Sequence, residues 1–430
     1  MIRRICFPLL IALMISCSTP LFPQNVQSLT LQEAEAQAVS HHPQISSVRY
    51  SALAAGQATR EQQSAYYPFA FGNLTGAGAD PNSRLAAGGL NNPIIYNRYA
   101  NGVTVGQFIT DFGRTQNLVE SARLHAQAAQ ENVQTARMDV MLQVDRAYFD
   151  VLKAQAVLKV AERTVSDRQL VSDQVTELEK SKLKSGLDVS FANVNLAEAK
   201  LFLVRAQNDE QAGFAALSAA LGYSDARTFE LADVPVPSAP PQQFADLVAQ
   251  AFQNRPELIG QHYNQQAAEK FARAERDLWF PTISGVATAG ITPLHQRQLA
   301  DNYAAAGLNV NIPIFNGHLF AARRAEAEFK AKAEEENLRD LRDHVARDVR
   351  VAWLNANTAY QRLGLTDQLL QQAKQAFDLA QERYKLGLSS IIELSQAQLN
   401  LTQAQTENVG ANYEYQISRA DLDYQIGSAH

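Results

Sequence analysis

Cysteine is almost absent from this chain of 430 residues, and its two cysteines, Cys6 and Cys17, both lie near the N-terminus. They fall in or next to residues 1–16, where Arg3 and Arg4 precede a short apolar run. A basic start followed by so short a run is typical of a secretory signal peptide, and the run is too short to cross a bilayer. The mature chain is therefore expected to be exported, with no internal disulfide and no cysteine metal site.

The last residues of the apolar run, Met14-Ile15-Ser16-Cys17, resemble the lipobox of bacterial lipoproteins, in which the cysteine becomes the acylated first residue. Lipidation at Cys17 is one prediction. The alternative is an ordinary signal peptide that happens to end at a cysteine.

Basic residues are outnumbered, with 38 Lys and Arg against 44 Asp and Glu, which gives a formal net charge of −6. Removing Arg3 and Arg4 with the signal peptide takes this to about −8. An acidic, exported chain argues against nucleic acid as a partner.

Catalytic patterns are also missing. No Ser-His-Asp arrangement, phosphate-binding glycine loop or isolated carboxylate pair is evident. His41-His42 has no carboxylate or further histidine at ligand spacing, so no metal site is expected. The sequence therefore predicts a protein that is not an enzyme and has no cofactor.

Proline does not occur between Gly317 and Lys385, and Gly364 is the only glycine inside that stretch. Its apolar residues alternate at spacings of four and three, which predicts a helix with a coiled-coil seam. At 1.5 Å per residue this helix would be about 100 Å long, far longer than a compact domain needs. Past Gly387 the seam resumes on a returning helix. The seam residues before the turn are Val345, Val349, Ala352, Ala356, Ala359, Leu363, Leu370, Ala373, Phe377, Ala380 and Tyr384.

The chain contains an internal repeat. His42-Pro43 and Tyr67-Pro68 in the first half correspond to Arg255-Pro256 and Phe280-Pro281 in the second, with the same offset of 213 at both anchors (256 − 43 and 281 − 68). Each half then has a Gly-rich region, a long helix, a glycine turn and a returning helix.

The repeat predicts two structural units, residues 17–232 and 242–430, joined by a proline-rich linker at 233–241. The two helical turns are assigned to Gly186 and Gly387. Between the anchors and the long helices, polar and small residues alternate with apolar ones over ten or more positions, as in tilted membrane strands. Four strands cannot close a membrane barrel, so several chains must contribute. The predicted strands are about 68–79, 99–111, 281–292 and 303–313.

This order of features resembles the TolC-type outer-membrane efflux family, from Leu29-Thr30-Leu31-Gln32-Glu33-Ala34 through His42-Pro43 and Asp111-Phe112-Gly113-Arg114 to Leu422–Gly427. The resemblance implies a mainly α-helical protein with a β membrane part. It implies a homotrimer in which long helical hairpins form a tunnel through the periplasm and each chain gives four strands to a twelve-stranded outer-membrane β-barrel. It also implies a periplasmic adaptor and an inner-membrane pump of RND, ABC or MFS type, or a type I secretion transporter, as partners.

The resemblance further implies that the tunnel closes at the helical turns. The family's Tyr, Gly and acidic residue correspond here to Tyr384, Gly387 and Glu393, while its second acidic position is Gln396. Three copies of Glu393 would form a carboxylate ring that attracts cations, with a raised proton affinity from crowding. An acidic partner that some members place opposite the tyrosine is replaced by Ala192, so that link is expected to be missing.

The sequence therefore predicts a passive outer-membrane channel that carries drugs, other small molecules or secreted polypeptide out of the cell. The alternative is a periplasmic coiled-coil adaptor or scaffold without a pore. Lys180, Lys182 and Lys184, near the first turn, either meet an acidic adaptor or only solvate the tip.

Overall fold

The computed structural model describes residues 28–81, 83, 94–241 and 243–428. The predicted signal peptide, Cys17 and most of the loop between the first two strands lie outside the described residues.

Eight long or medium helices and one antiparallel sheet form the described chain, and the predicted mainly helical fold class with four strands is confirmed. None of the described helices is both long and apolar enough to cross a membrane. In chain order the helices are α1 (Leu31–His41), α2 (Pro43–Gln63), α3 (Arg114–Lys180), α4 (Gly186–Ala220), α5 (Phe244–Asn254), α6 (Pro256–Arg276), α7 (Leu319–Lys385) and α8 (Ile391–Gln425). The strands are β1 (Phe69–Ala77), β2 (Arg98–Thr110), β3 (Thr282–His295) and β4 (Asn302–Asn311).

The two helical hairpins have equal lengths. Helices α3 and α7 each have 67 residues, and α4 and α8 each have 35. At 1.5 Å per residue the longer pair extends about 100 Å, because no proline interrupts either helix.

The four helices pack along their small-residue seams. On α7 the seam residues Val345, Val349 and Ala356 are at most 1% exposed. On α4 one apolar face is buried and a second is exposed. The buried face contains Leu196, Ala199 and Ala206, and the exposed face contains Val194, Leu201 and Val204.

The strands lie in the order β1-β2-β3-β4, each antiparallel to its neighbour. Because β1 and β4 each pair on one side only, the sheet has two open edges. The register places two different sets of side chains on its two faces.

One face of the sheet is mainly apolar, and the other combines a row of polar side chains with exposed apolar ones such as Phe69, Phe71 and Val286. The apolar face is made by residues such as Leu74, Val103, Val105, Ile291, Leu308 and Val310, all strongly exposed. On the other face Asn73 donates a hydrogen bond to Thr104 (2.8 Å), which in turn donates to Thr288 (3.2 Å). An exposed apolar face opposite a face with a row of polar side chains is consistent with a set of membrane strands.

A buried carboxylate lies where the strands meet the long helices. The side chain of Glu275, at the end of α6, is 2% exposed. Its two oxygens lie 2.8 and 3.1 Å from Nε and Nη2 of Arg323 on α7, and Arg114 on α3 is 4.0 Å away. The network therefore joins the beginnings of both long helices.

Residues 233–241 contain no helix or strand. The segment is held against the helices by Trp353, whose Nε1 donates to the carbonyl of Pro241 (2.7 Å), and by the hydroxyl of Tyr415, which donates to the carbonyl of Ser238. Near its start the fully buried Tyr148 donates to the carbonyls of Leu29 and Ala232. The link between the repeats is thus fixed to the hairpins.

Candidate functional site at the helical turns

The two hairpin turns have the same backbone pattern. Five residues separate the helices in each hairpin, 181–185 in the first and 386–390 in the second. The residue with positive φ is Lys182 (57°) in the first turn and Gly387 (70°) in the second. The next amide then closes each turn, from Leu183 to Leu178 (2.9 Å) and from Leu388 to Arg383 (2.8 Å).

Gly186 therefore lies at the first residue of α4 and has no positive φ. The structural counterpart of Gly387 is Lys182, a residue that is uncommon in the left-handed region. A pairing of Gly186 with Gly387 would make the hairpins unequal by about one helical turn, whereas the pairing with Lys182 accounts for their equal lengths.

Both returning helices begin with a serine cap. The Ser185 hydroxyl accepts a hydrogen bond from the amide of Asp188 (3.3 Å), and the Ser390 hydroxyl accepts one from the amide of Glu393 (3.3 Å). Asp188 is therefore the counterpart of Glu393, at the third position of its helix. Sequence reasoning missed this acid, although Ser-x-x-Asp is the signature of a capping box.

Glu393 pairs with a base on the facing helix. Its Oε1 lies 3.2 Å from Nε of Arg383 on α7, and both side chains are about half exposed. The predicted neighbour Gln396 instead donates to Asn400 on its own helix (2.9 Å). Within one chain the carboxylate charge of Glu393 is thus balanced by a guanidinium, a partner that sequence reasoning did not identify.

Tyr384 lies in the small core between the two hairpins, away from Glu393. It is 8% exposed and packs with Val171, Val175, Ala192, Ile391 and Leu394. Its hydroxyl is buried and has no hydrogen-bond partner among the described residues. Burial, with a smaller contribution from the Asp188 carboxylate, raises the pKa of Tyr384.

A lysine of the first turn covers the tyrosine. Nζ of Lys184 lies 4.3 Å from the centroid of the Tyr384 ring, a cation–π contact between the first turn and α7. Deeper in the hairpins, Nδ2 of Asn195 on α4 donates to the hydroxyl of Ser395 on α8 (2.6 Å). The first hairpin is thus joined to the second by a ring contact and a hydrogen bond, while Ala192 supplies only packing.

Four leucines project from the turns. Leu183, Leu187, Leu386 and Leu388 are 66–72% exposed. Lys180 and Lys385 pair with acids on their own helices at 2.7 and 2.8 Å. We call the set of four leucines, with Lys182 and Lys184, the tip surface.

Comparison with known proteins finds a matching family profile and several proteins of similar sequence. A sequence profile described as "Outer membrane efflux protein" matches residues 29–223 and 247–428. The chain is similar to the outer membrane protein TolC of Escherichia coli, with 23% identity over 356 residues that cover 77% of this chain and 71% of that protein. It is 24% identical to TolC of Vibrio cholerae over 439 residues, covering 97% of this chain and 95% of that one.

The fold is similar to that of the CmeC outer membrane channel of Campylobacter jejuni, for which a crystal structure is known. The TM-score is 0.77 at 16% identity, and the similarity covers 93% of this chain and 85% of that one.

Proposed function

The chain belongs to the outer membrane efflux protein family, and on that premise we propose that three copies of it assemble into one duct, which passively carries solutes from an inner-membrane pump across the periplasm and the outer membrane. The matched family is named for outer-membrane efflux, and the relatives compared above are named as outer membrane proteins. The open-edged sheet with one apolar face is the observation that supports assembly by this chain.

The sheet requires partners in a membrane. Unpaired backbone groups at the edges of β1 and β4 would be costly in lipid, where no water can bond to them. Three copies of the four strands remove all edges by pairing β4 of one chain with β1 of the next. The apolar face then meets lipid, and the row of Asn73, Thr104 and Thr288 lines water.

Helices α4 and α7 each leave an apolar flank open. The exposed face of α4 bears Leu187, Phe191 and Val194. On α7, Val351, Leu365 and Leu369 are 49–65% exposed. Burial of these two flanks against neighbouring chains would extend the helices into a closed wall, since large exposed apolar patches mark interaction sites.

At the far end of the duct, the turns form the gate. Three Glu393–Arg383 pairs would surround the axis, so the mouth is less negative than a ring of bare carboxylates. Gln396 adds no charge, which argues against strong binding of divalent cations there. The Lys184–Tyr384 and Asn195–Ser395 contacts hold the two hairpins of each chain together in the closed state.

The tip surface is proposed as the binding site of a periplasmic adaptor. Exposed leucines beside two lysines that form no ion pair with another described residue suit a partner with apolar residues and acids. Behind that adaptor we place an inner-membrane pump of RND, ABC or MFS type.

The rival function is a periplasmic adaptor or scaffold without a pore. Membrane fractionation followed by planar-bilayer recording separates the two. The duct predicts a detergent-dependent trimer with single-channel conductance, and substitution of Glu393 by Ala or Lys alters its cation preference. A water-soluble protein that forms no conducting unit would support the scaffold instead.

A further inference from the structure

A groove of about 710 Å³ lies far from the helical turns, where the two repeats meet. Helices α1 and α3 of the first repeat form two of its sides, and the junction of α5 and α6 forms the third. Its volume is in the range that accepts a drug-sized molecule. The apolar part of its lining is Val39, Met138, Met141 and Ile259.

The lining of the groove has more acidic than basic side chains. Glu35, Glu131 and Arg137 face the groove, which gives one excess negative charge when all three are ionised. Arg137 donates to Gln134 of its own helix at 3.3 Å. Among the described residues neither Glu35 nor Glu131 has an ion pair with a basic side chain, and burial raises the pKa of both.

A third carboxyl group, that of Asp145, interacts with Glu35. Asp145 on α3 lies within interaction distance of Glu35, and burial, followed by the interaction with Glu35 and by the charges of Asp423 and Asp421, raises the pKa of Asp145 to about 8. The nearby bases are already paired, Arg146 with Asp421 at 2.6 Å and Arg419 with Asp423 at 3.0 Å. Arg137 is thus the one basic side chain in the lining of the groove, and it offsets only one of the two lining acids, Glu35 and Glu131.

We propose that this groove binds an amphiphilic organic cation, with its apolar body against Met138, Met141 and Ile259 and its charge between Glu35 and Glu131. The excess negative charge selects a cation over an anion, and the thioether and aliphatic lining selects an apolar body that a small inorganic ion lacks. All residues of the site belong to one chain, so the proposal does not require that the chain conducts.

Equilibrium dialysis of the full-length protein in detergent against tetraphenylphosphonium tests the proposal, with protein-free micelles as the blank. This probe has a fixed charge, so any pH dependence comes from the protein. Saturable binding is expected, and it should be stronger at pH 9 than at pH 6 because Asp145, beside Glu35, has a pKa of about 8 and loses its proton in between. Tetraphenylborate, which has the same shape and the opposite charge, should show no saturable binding.

The variants Glu35→Gln and Glu131→Gln should each weaken binding about tenfold, the factor that about 1.4 kcal/mol represents. Ala36→Trp, at an exposed position of the groove wall, should abolish binding by filling the space. Glu162→Gln, an exposed acid elsewhere on α3, is the matched control and should leave binding unchanged. Absence of saturable binding, equal binding of the two probes, or equal effects of Glu35→Gln and Glu162→Gln would each overturn the proposal.

Discussion

The ammonium group of Lys184 lies 4.3 Å from the centre of the Tyr384 ring, so a residue of the first turn covers an aromatic residue at the end of α7. The tyrosine hydroxyl takes no part in the contact and has no partner among the described residues. The two hairpins are therefore held together at this point by the ring and the charge, not by a hydrogen bond to the phenol.

Lys184→Gln should shift the gate towards the open state. A cation–π contact contributes about 0.5–2 kcal/mol, and a trimer would lose it three times. Single-channel recording should show a larger or more frequent open conductance for Lys184→Gln. Tyr384→Phe keeps the ring and should behave as the wild type, and Lys182→Gln is a control on the same turn. An opening effect of Tyr384→Phe equal to that of Lys184→Gln would contradict this account.

Arg383→Gln should make the channel more selective for cations. The change leaves Glu393 without its partner at 3.2 Å, so the negative charge at the mouth is no longer balanced. Because exposed ion pairs contribute about 0–1 kcal/mol to stability, the fold should be unaffected. Reversal potentials in a salt gradient measure the selectivity. The double variant Arg383→Gln/Glu393→Gln should return to the wild-type reversal potential. A double variant that stays more cation-selective would show that the effect does not come from this ion pair.

Glu275→Ala should destabilise the protein. It removes the buried carboxylate from Arg323 and Arg114, whose side chains are 43% and 30% exposed and therefore stay partly hydrated, so the expected cost is about 1–3 kcal/mol, below that of a fully buried ion pair. Thermal unfolding in detergent measures the effect. Glu269→Ala, which removes an exposed pair with Arg273, should change the free energy of unfolding by less than about 1 kcal/mol.

Asp145→Asn should change how stability depends on pH. The folded-state pKa of Asp145 is raised to about 8 from an ordinary value of 3.8, so its contribution is most favourable at low pH and is lost as pH rises from about 4 to about 8. The variant should therefore gain relative to the wild type between pH 5 and pH 9, on the order of 2–4 °C in Tm. Asp150→Asn, an exposed control, should show no such trend, and parallel curves for all three proteins would contradict the prediction.

Local signals in the sequence predicted the positions of most helices and strands. The prolines at 43, 68, 256 and 281 and the absence of proline from 317–385 located the helices and the strand region, because proline cannot continue a helix or a sheet ladder. The first turn was misplaced at Gly186, since the chain uses Lys182 where glycine would be expected. Glycine is the default for positive φ, and nothing local indicates when another residue takes that role.

The contacts of the site were harder to foresee. That Tyr384 meets Lys184 depends on how two hairpins distant in sequence align side by side, and that Glu393 meets Arg383 depends on how α7 and α8 align across their turn. A shift of one residue along α7 would turn either partner away, because successive helical residues point about 100° apart. Asp188 was within reach of sequence analysis, since its capping serine lies three residues before it.

The arrangement of the two turns in each chain affects how partner molecules can bind the duct. The turns of both hairpins lie at the same end of the helices and touch through Lys184 and Tyr384, so threefold rotation would bring six turns together around one axis. Alternate turns differ in chemistry, with Lys182 and Asp188 on one kind and Gly387 and Glu393 on the other. A ring of six identical partner molecules would therefore contact two kinds of binding site in alternation. It would bind them with two different affinities.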